Sequence, residues 1–144
     1  MTLHIIKLCV GADSVEDLAQ WQAGRIRDQK KRKVKTPELM HVTRMMPKRK
    51  DEILAGGSLY WVIKGQIAVR QKILELRPVV KNGKPHCGIV YDPKLVPLYR
   101  RAHRAFQGWR YLDPKDAPSD ARGGKGIEKL PEKLQAELVE LGLL

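Results

Sequence analysis

Apolar and polar positions along the chain switch between two periods. Over residues 3–10 they alternate, with Ile6, Leu8 and Val10 on one face and Leu3, Ile5 and Cys9 on the other. Both faces are largely apolar, which predicts a strand covered on both sides and therefore central in a sheet. After Gly11 the period lengthens. Val15, Leu18, Ala19, Gln22 and Ile26 recur at helical spacing behind Asp13-Ser14, a pair able to cap a first turn, and predict a helix from Ser14 to Gln29. Residues 41–46 read as a short strand closed by Pro47, residues 51–55 as a helical turn stopped by Gly56-Gly57, and residues 58–64 as a strand rich in aromatic and β-branched side chains.

The stretch 67–80 satisfies both periods. Val69, Ile73 and Leu76 suit a helix, whereas Ile73, Leu74, Leu76, Val79 and Val80 suit one arm of a hairpin. The Asn82-Gly83 pair that follows decides for the hairpin, because both residues tolerate the positive φ of a tight turn. Residues 86–91 make the return arm, ended by Asp92-Pro93, and a further strand is expected at 109–112. Beyond it, 113–126 is mainly Pro, Asp, Ser, Gly and Lys and is expected to be a flexible loop. Ile127, Leu130, Leu134, Leu138 and Leu141 then recur every three or four residues, with Pro131 suited to a first helical turn and Gly142 to a C-cap. That pattern predicts a C-terminal helix able to dock on the domain or on a protein partner.

With 144 residues there is material for one core. The expectation is a single α+β domain over residues 1–112, in which a mixed or antiparallel curled sheet carries the N-terminal helix. The loop 113–126 and the helix 127–144 follow it. No internal repeat of solenoid period occurs.

Charge changes this picture more than any other bulk property. Twenty-eight Lys and Arg against 16 Asp and Glu leave a net charge of +12. Such an excess on a small domain concentrates polyanions at its surface and speeds encounter with them, without selecting a base sequence. No run of about 18 apolar residues is present to span a bilayer. The first ten residues lack a basic leader and a cleavage site, so a cytoplasmic location is expected. Cys9 and Cys87 are far apart and in no metal-binding spacing, and His4, His41, His86 and His103 form no paired-ligand motif. No cofactor or metal is called for, and Walker, nucleophile-elbow and dinucleotide fingerprints are missing.

Positive charge gathers in three segments. The first is Lys30-Lys31-Arg32-Lys33, followed after one residue by Lys35, and the second is Lys48-Arg49-Lys50. These runs attract phosphates without fixing a register. The third, residues 99–111, holds Arg100, Arg101, Arg104 and Arg110 interleaved with Tyr99, Phe106, Trp109 and Tyr111, and contains no acid. Guanidinium groups grip phosphates with paired hydrogen bonds and aromatic rings stack on unpaired bases, so this segment suits single-stranded nucleic acid, RNA above all. The expected contacts are phosphates at the four arginines, bases at Trp109 and Tyr111, and salt-sensitive support from Lys31, Arg32, Lys33, Lys48 and Arg49.

Two other functions fit the sequence. Lys64 closes an apolar strand, where burial would lower its pKa, and with Glu75 or Glu52 as a carboxylate partner it could serve an enzyme acting on a nucleoside or nucleotide. Alternatively, the Leu130–Leu141 face could recruit a protein partner in a regulatory or ribosome-associated role.

Three stretches, residues 3–11, 56–65 and 104–112, together resemble an alphaproteobacterial family of small proteins catalogued as a domain of unknown function. That likeness covers most of the chain before the C-terminal tail and implies a bacterial cytoplasmic protein, with no catalytic residues to carry across. Residues 62–70 are also similar to a pattern of PUA-like domains, including the ASCH group, mixed pseudobarrels that bind RNA or modified nucleosides. Of that pattern they keep Lys64 and a displaced Arg70, with Ile67 standing where an acid is expected.

Overall fold

A computed structural model describes residues 2–104 and 106–121. The C-terminal helix expected over 127–144 and the end of the expected loop lie outside the described residues. Seven strands and two α-helices follow one another in the described residues: β1 (His4–Leu8), α1 (Val15–Lys31), β2 (Leu39–Thr43), α2 (Lys50–Leu54), β3 (Ser58–Ile63), β4 (Gln66–Lys81), β5 (Lys84–Tyr91), β6 (Val96–Ala102) and β7 (Trp109–Leu112). The strands form one mixed seven-stranded sheet in the order β2-β5-β4-β3-β1-β7, with β6 on β4, and the sheet is not closed. The expected α+β class holds.

β1 runs parallel to β3 and antiparallel to β7, which makes it the central strand its two apolar faces require. Ile5 goes to the larger core with Leu59, Trp61 and Ile63, and Ile6 to a second, smaller cluster with Tyr60, Val62 and Leu112. β4 is the longest element. Its first half pairs with β3 and β6, and its second half, past an irregularity at Ile73–Glu75, pairs with β5. One strand therefore serves two parts of the sheet.

α1 begins as its sequence directs: Ser14 Oγ accepts from the Asp17 amide at 3.0 Å, and the Asp17 carboxylate accepts in return from the Asp13 amide at 3.2 Å. The helix buries Leu18 and Gln22. Gln22 and the fully buried Gln71 of β4 exchange two amide hydrogen bonds, 2.9 and 2.8 Å long, which fasten helix to sheet. Before β3, Gly57 lies so close to the Leu3 carbonyl that a Cβ has no room, and its amide donates to Ile53 O at 2.7 Å.

Three expectations shift. The strand expected at 41–46 lies at 39–43. The arginine-rich segment starts inside a strand, β6, which the sequence reading does not contain. The stretch 113–121 forms a 3-10 turn at Pro114–Asp116 and is then tied down, with Tyr99 N donating to Ser119 O at 2.9 Å and Ala121 N to Pro97 O at 3.0 Å. Asp120 also takes a two-pronged hydrogen bond from Arg70, at 2.8 and 2.7 Å.

Candidate nucleic-acid interface

The structure gathers cationic side chains along a groove between the end of β2, the β4–β5 turn and β7. The groove has a volume of about 930 Å³, and Lys7, Arg44, Lys81, His86 and Arg110 line it together with Trp109 and Tyr111. No carboxylate is among its lining residues. Each contributor is placed by strand geometry. Thr43 and Lys81 end β2 and β4, so Arg44 and the turn residues Asn82-Gly83 come to one rim. Trp109, Arg110 and Tyr111 come from strand β7, which among the described residues pairs only with β1.

Lys7 is the pivot. It stands in register between Trp61 of β3 and Trp109 of β7, so the three side chains project from neighbouring positions on one face of the sheet. Half-buried there, it has its pKa lowered, first by burial. Trp109 meets Tyr111 edge to face, their ring centroids 5.0 Å apart. Behind Lys7, His41 meets Trp61 edge to face at 6.0 Å, and burial, followed by the Lys7 and Lys81 charges, lowers its pKa to about 4. His41 is thus a neutral imidazole at physiological pH. The Cys9 thiol is pushed up to about 11 by burial and is not the thiolate a nucleophile needs.

Of the residues singled out from sequence, Trp109, Arg110 and Tyr111 line the groove. Arg49 reaches its edge, with its guanidinium 5.6 Å from the Tyr111 ring centroid and its amide donating to the Tyr111 hydroxyl at 3.3 Å. It is also paired to Glu52 at 2.6 Å. Alternation along β7 sends the Arg110 side chain toward the opposite face, where its guanidinium lies 5.1 Å from the Phe106 ring. The remaining candidates are elsewhere. Arg100 is buried on β6 with its guanidinium 3.5 Å from Gln66 Oε1, and Arg101 donates to Asp116 O at 2.8 Å. Arg104 and Lys48 are exposed and do not line the groove. Lys31, Arg32 and Lys33 are exposed where α1 ends and do not line it either.

Lys64 and Glu75 do not meet. Lys64 and Gly65, with φ of 48° and 75°, are the two central residues of the tight turn joining β3 to β4, and Lys64 is exposed. Glu75 is nine positions beyond Gln66 along β4, roughly 30 Å at strand rise, and is held by Arg77 at 2.8 Å. That hydrogen bond lowers its pKa, which removes it further from service as a base. Glu52 is likewise engaged, with Arg49.

Sequence reasoning missed Lys7, Arg44, Lys81 and His86. Lys7 does leave a signal, as the one charged residue inside a strand with two apolar faces. The others stand at strand ends and turns, where cations are ordinary. Among the described residues no cluster of His, Cys, Asp and Glu is arranged to hold a metal, and no helix is long and apolar enough to cross a membrane.

No curated protein and no solved structure matches the chain. A family model does match, over residues 5–144, nearly the full length and including the strands that build the groove. The chain belongs to the family described as protein of unknown function, DUF1489.

Proposed function

We propose that the protein binds single-stranded RNA along the groove between the β4–β5 turn and β7. The observation that carries this reading is the composition of the lining, four basic side chains, Lys7, Arg44, Lys81 and His86, and two aromatic rings without a carboxylate. Cations at several points along a groove hold a phosphate backbone, and rings among them supply stacking that duplex DNA, with its bases covered, does not use. The resemblance of residues 62–70 to PUA-like domains agrees with an RNA ligand but adds no contact residue, since Lys64 sits on a turn away from the groove.

The test is a binding titration of labelled single-stranded RNA at near-physiological salt, with duplex DNA of equal length alongside. Replacing both Arg44 and Lys81 by alanine is expected to weaken RNA binding by about tenfold or more. Replacing Lys31 and Lys33, which carry equal charge at the end of α1, is expected to cost less than about threefold, as distant charge does under screening. Equal losses from the two pairs, or DNA held as tightly as RNA, would end the case for a focused groove.

A further inference from the structure

Next to the groove, and sharing Lys7 with it, lies a smaller and more enclosed cavity of about 180 Å³. Its lining includes Trp21 from α1, Trp61 from β3, Tyr91 from β5 and His41 from β2, with Cys9 beside Lys7 on the chain leaving β1. Trp61 and Tyr91 form a buried corner, 4% and 2% exposed, with ring centroids 6.0 Å apart and planes at 76°. The open side is apolar, where Val10 is 85% and Trp21 52% exposed. Arg25 lies 4.8 Å from the Trp21 ring centroid, so that ring is held by a cation from its own helix.

We infer that this cavity takes one unpaired base of the bound strand, with Lys7 spanning from the base pocket to the phosphates in the groove. The inference rests on the RNA-binding reading above and names which part of the ligand each cavity receives. Size agrees: a cavity of about 150 Å³ accepts benzene, so this one accommodates a single planar ring system and not a folded peptide. Chemistry agrees as well. Walls made of rings favour a flat aromatic guest, and neutral His41 has a ring nitrogen, donor or acceptor by tautomer, to meet the edge of a base. Continuity with a groove free of carboxylates makes a guest attached to phosphates the fitting occupant. A free apolar metabolite would have no use for Lys7.

The test compares a single-stranded RNA octamer with an abasic octamer of the same phosphate count, using full-length protein, and repeats the pair with Trp21→Ala and Trp21→Phe. Trp21 is half exposed on the helix surface, so neither substitution removes core packing on the scale of Trp61. The expected result is that intact RNA binds about tenfold or more tightly than the abasic strand. Trp21→Ala should close most of that gap and Trp21→Phe restore it. Intact and abasic strands bound equally, or a gap that Trp21→Ala leaves untouched, would overturn the base pocket while the groove stands. Uncharged nucleosides separate the two readings from the other side. If neither octamer binds but adenosine or uridine still quenches tryptophan fluorescence in a Trp21-dependent way, the pocket survives and the groove fails. If nucleosides also leave the fluorescence unchanged, both fall.

Discussion

Gln71 is fully buried, yet its amide is used on every side. Oε1 accepts from Gln22 and from the Trp61 indole, each at 2.9 Å, while Nε2 donates to Gln22 at 2.8 Å and to the Asp92 carbonyl at 3.0 Å. A buried polar group costs little when paired and roughly 1–3 kcal/mol when orphaned. Gln71→Leu orphans the Trp61 N–H and breaks both Gln22–Gln71 bonds, and should lower unfolding free energy by about 2 kcal/mol or more in urea titrations. Removing Gln22 in the same chain should cost less than the two single losses added, because the partner is no longer stranded. A loss under about 0.5 kcal/mol for Gln71→Leu, the level of an ordinary surface change, would mean these bonds do not anchor α1. Only half of this arrangement is legible in the sequence. Gln22 falls on the inward stripe of the helix, but its partner is 49 positions away, and pairing between buried amides leaves no period to read.

At the scale of elements, tight turns divide what periodicity finds from what it misses. Asn82-Gly83 announces its turn, and both residues have positive φ, 53° and 73°. Lys64-Gly65 adopts the same backbone, 48° and 75°, but lysine is not a turn residue by habit, so from sequence it reads as a strand-end amine with chemistry to offer. The turn assignment makes a prediction. Gly65→Ala should cost roughly 1–2 kcal/mol, the penalty for a Cβ in the left-handed region, since no atom crowds the site closer than His103 O at 4.0 Å. Lys64→Asn should leave stability unchanged or slightly raised and RNA binding intact. Loss of RNA binding in a folded Lys64→Asn protein would return Lys64 to the functional surface. β6 escapes sequence reading for a related reason. Pro97 argues against a strand, but it lies near the start of β6 and is exposed, and on the side away from β4 it has only to accept, from the Ala121 amide, so its missing N–H is tolerated. β1 and β3, which are rich in apolar and β-branched side chains, and the β4–β5 hairpin, which Asn82-Gly83 gives away where periodicity alone is ambiguous, are legible to within two residues at each end.

For the whole molecule the question is whether the charge of +12 acts as a cloud or through the groove. Runs of cations are conspicuous in a sequence, and they point to Lys31–Lys33 and the 99–111 arginines. Assembly of a groove from Lys7 of β1, Arg44 just past β2 and Lys81 at the end of β4 is a property of sheet register and invisible without it. Salt dependence separates the two. For single strands the logarithm of affinity falls with the logarithm of salt by about 0.7 per phosphate neutralised. The three groove cations, Lys7, Arg44 and Lys81, therefore predict a slope near −2, whereas engagement of all twelve excess charges predicts about −8. In the focused case, replacing Arg44 and Lys81 by alanine removes two of the three contacts and should bring the slope to about −0.7. A steep slope that this double substitution leaves unaltered would mean that RNA meets a diffuse positive surface. The acid-free groove would then be a by-product of the fold. A shallow slope that falls by about two thirds would mean that the sheet, by setting Lys7 between two tryptophans and carrying Arg44 and Lys81 to one rim, turns a bulk property of the sequence into a site.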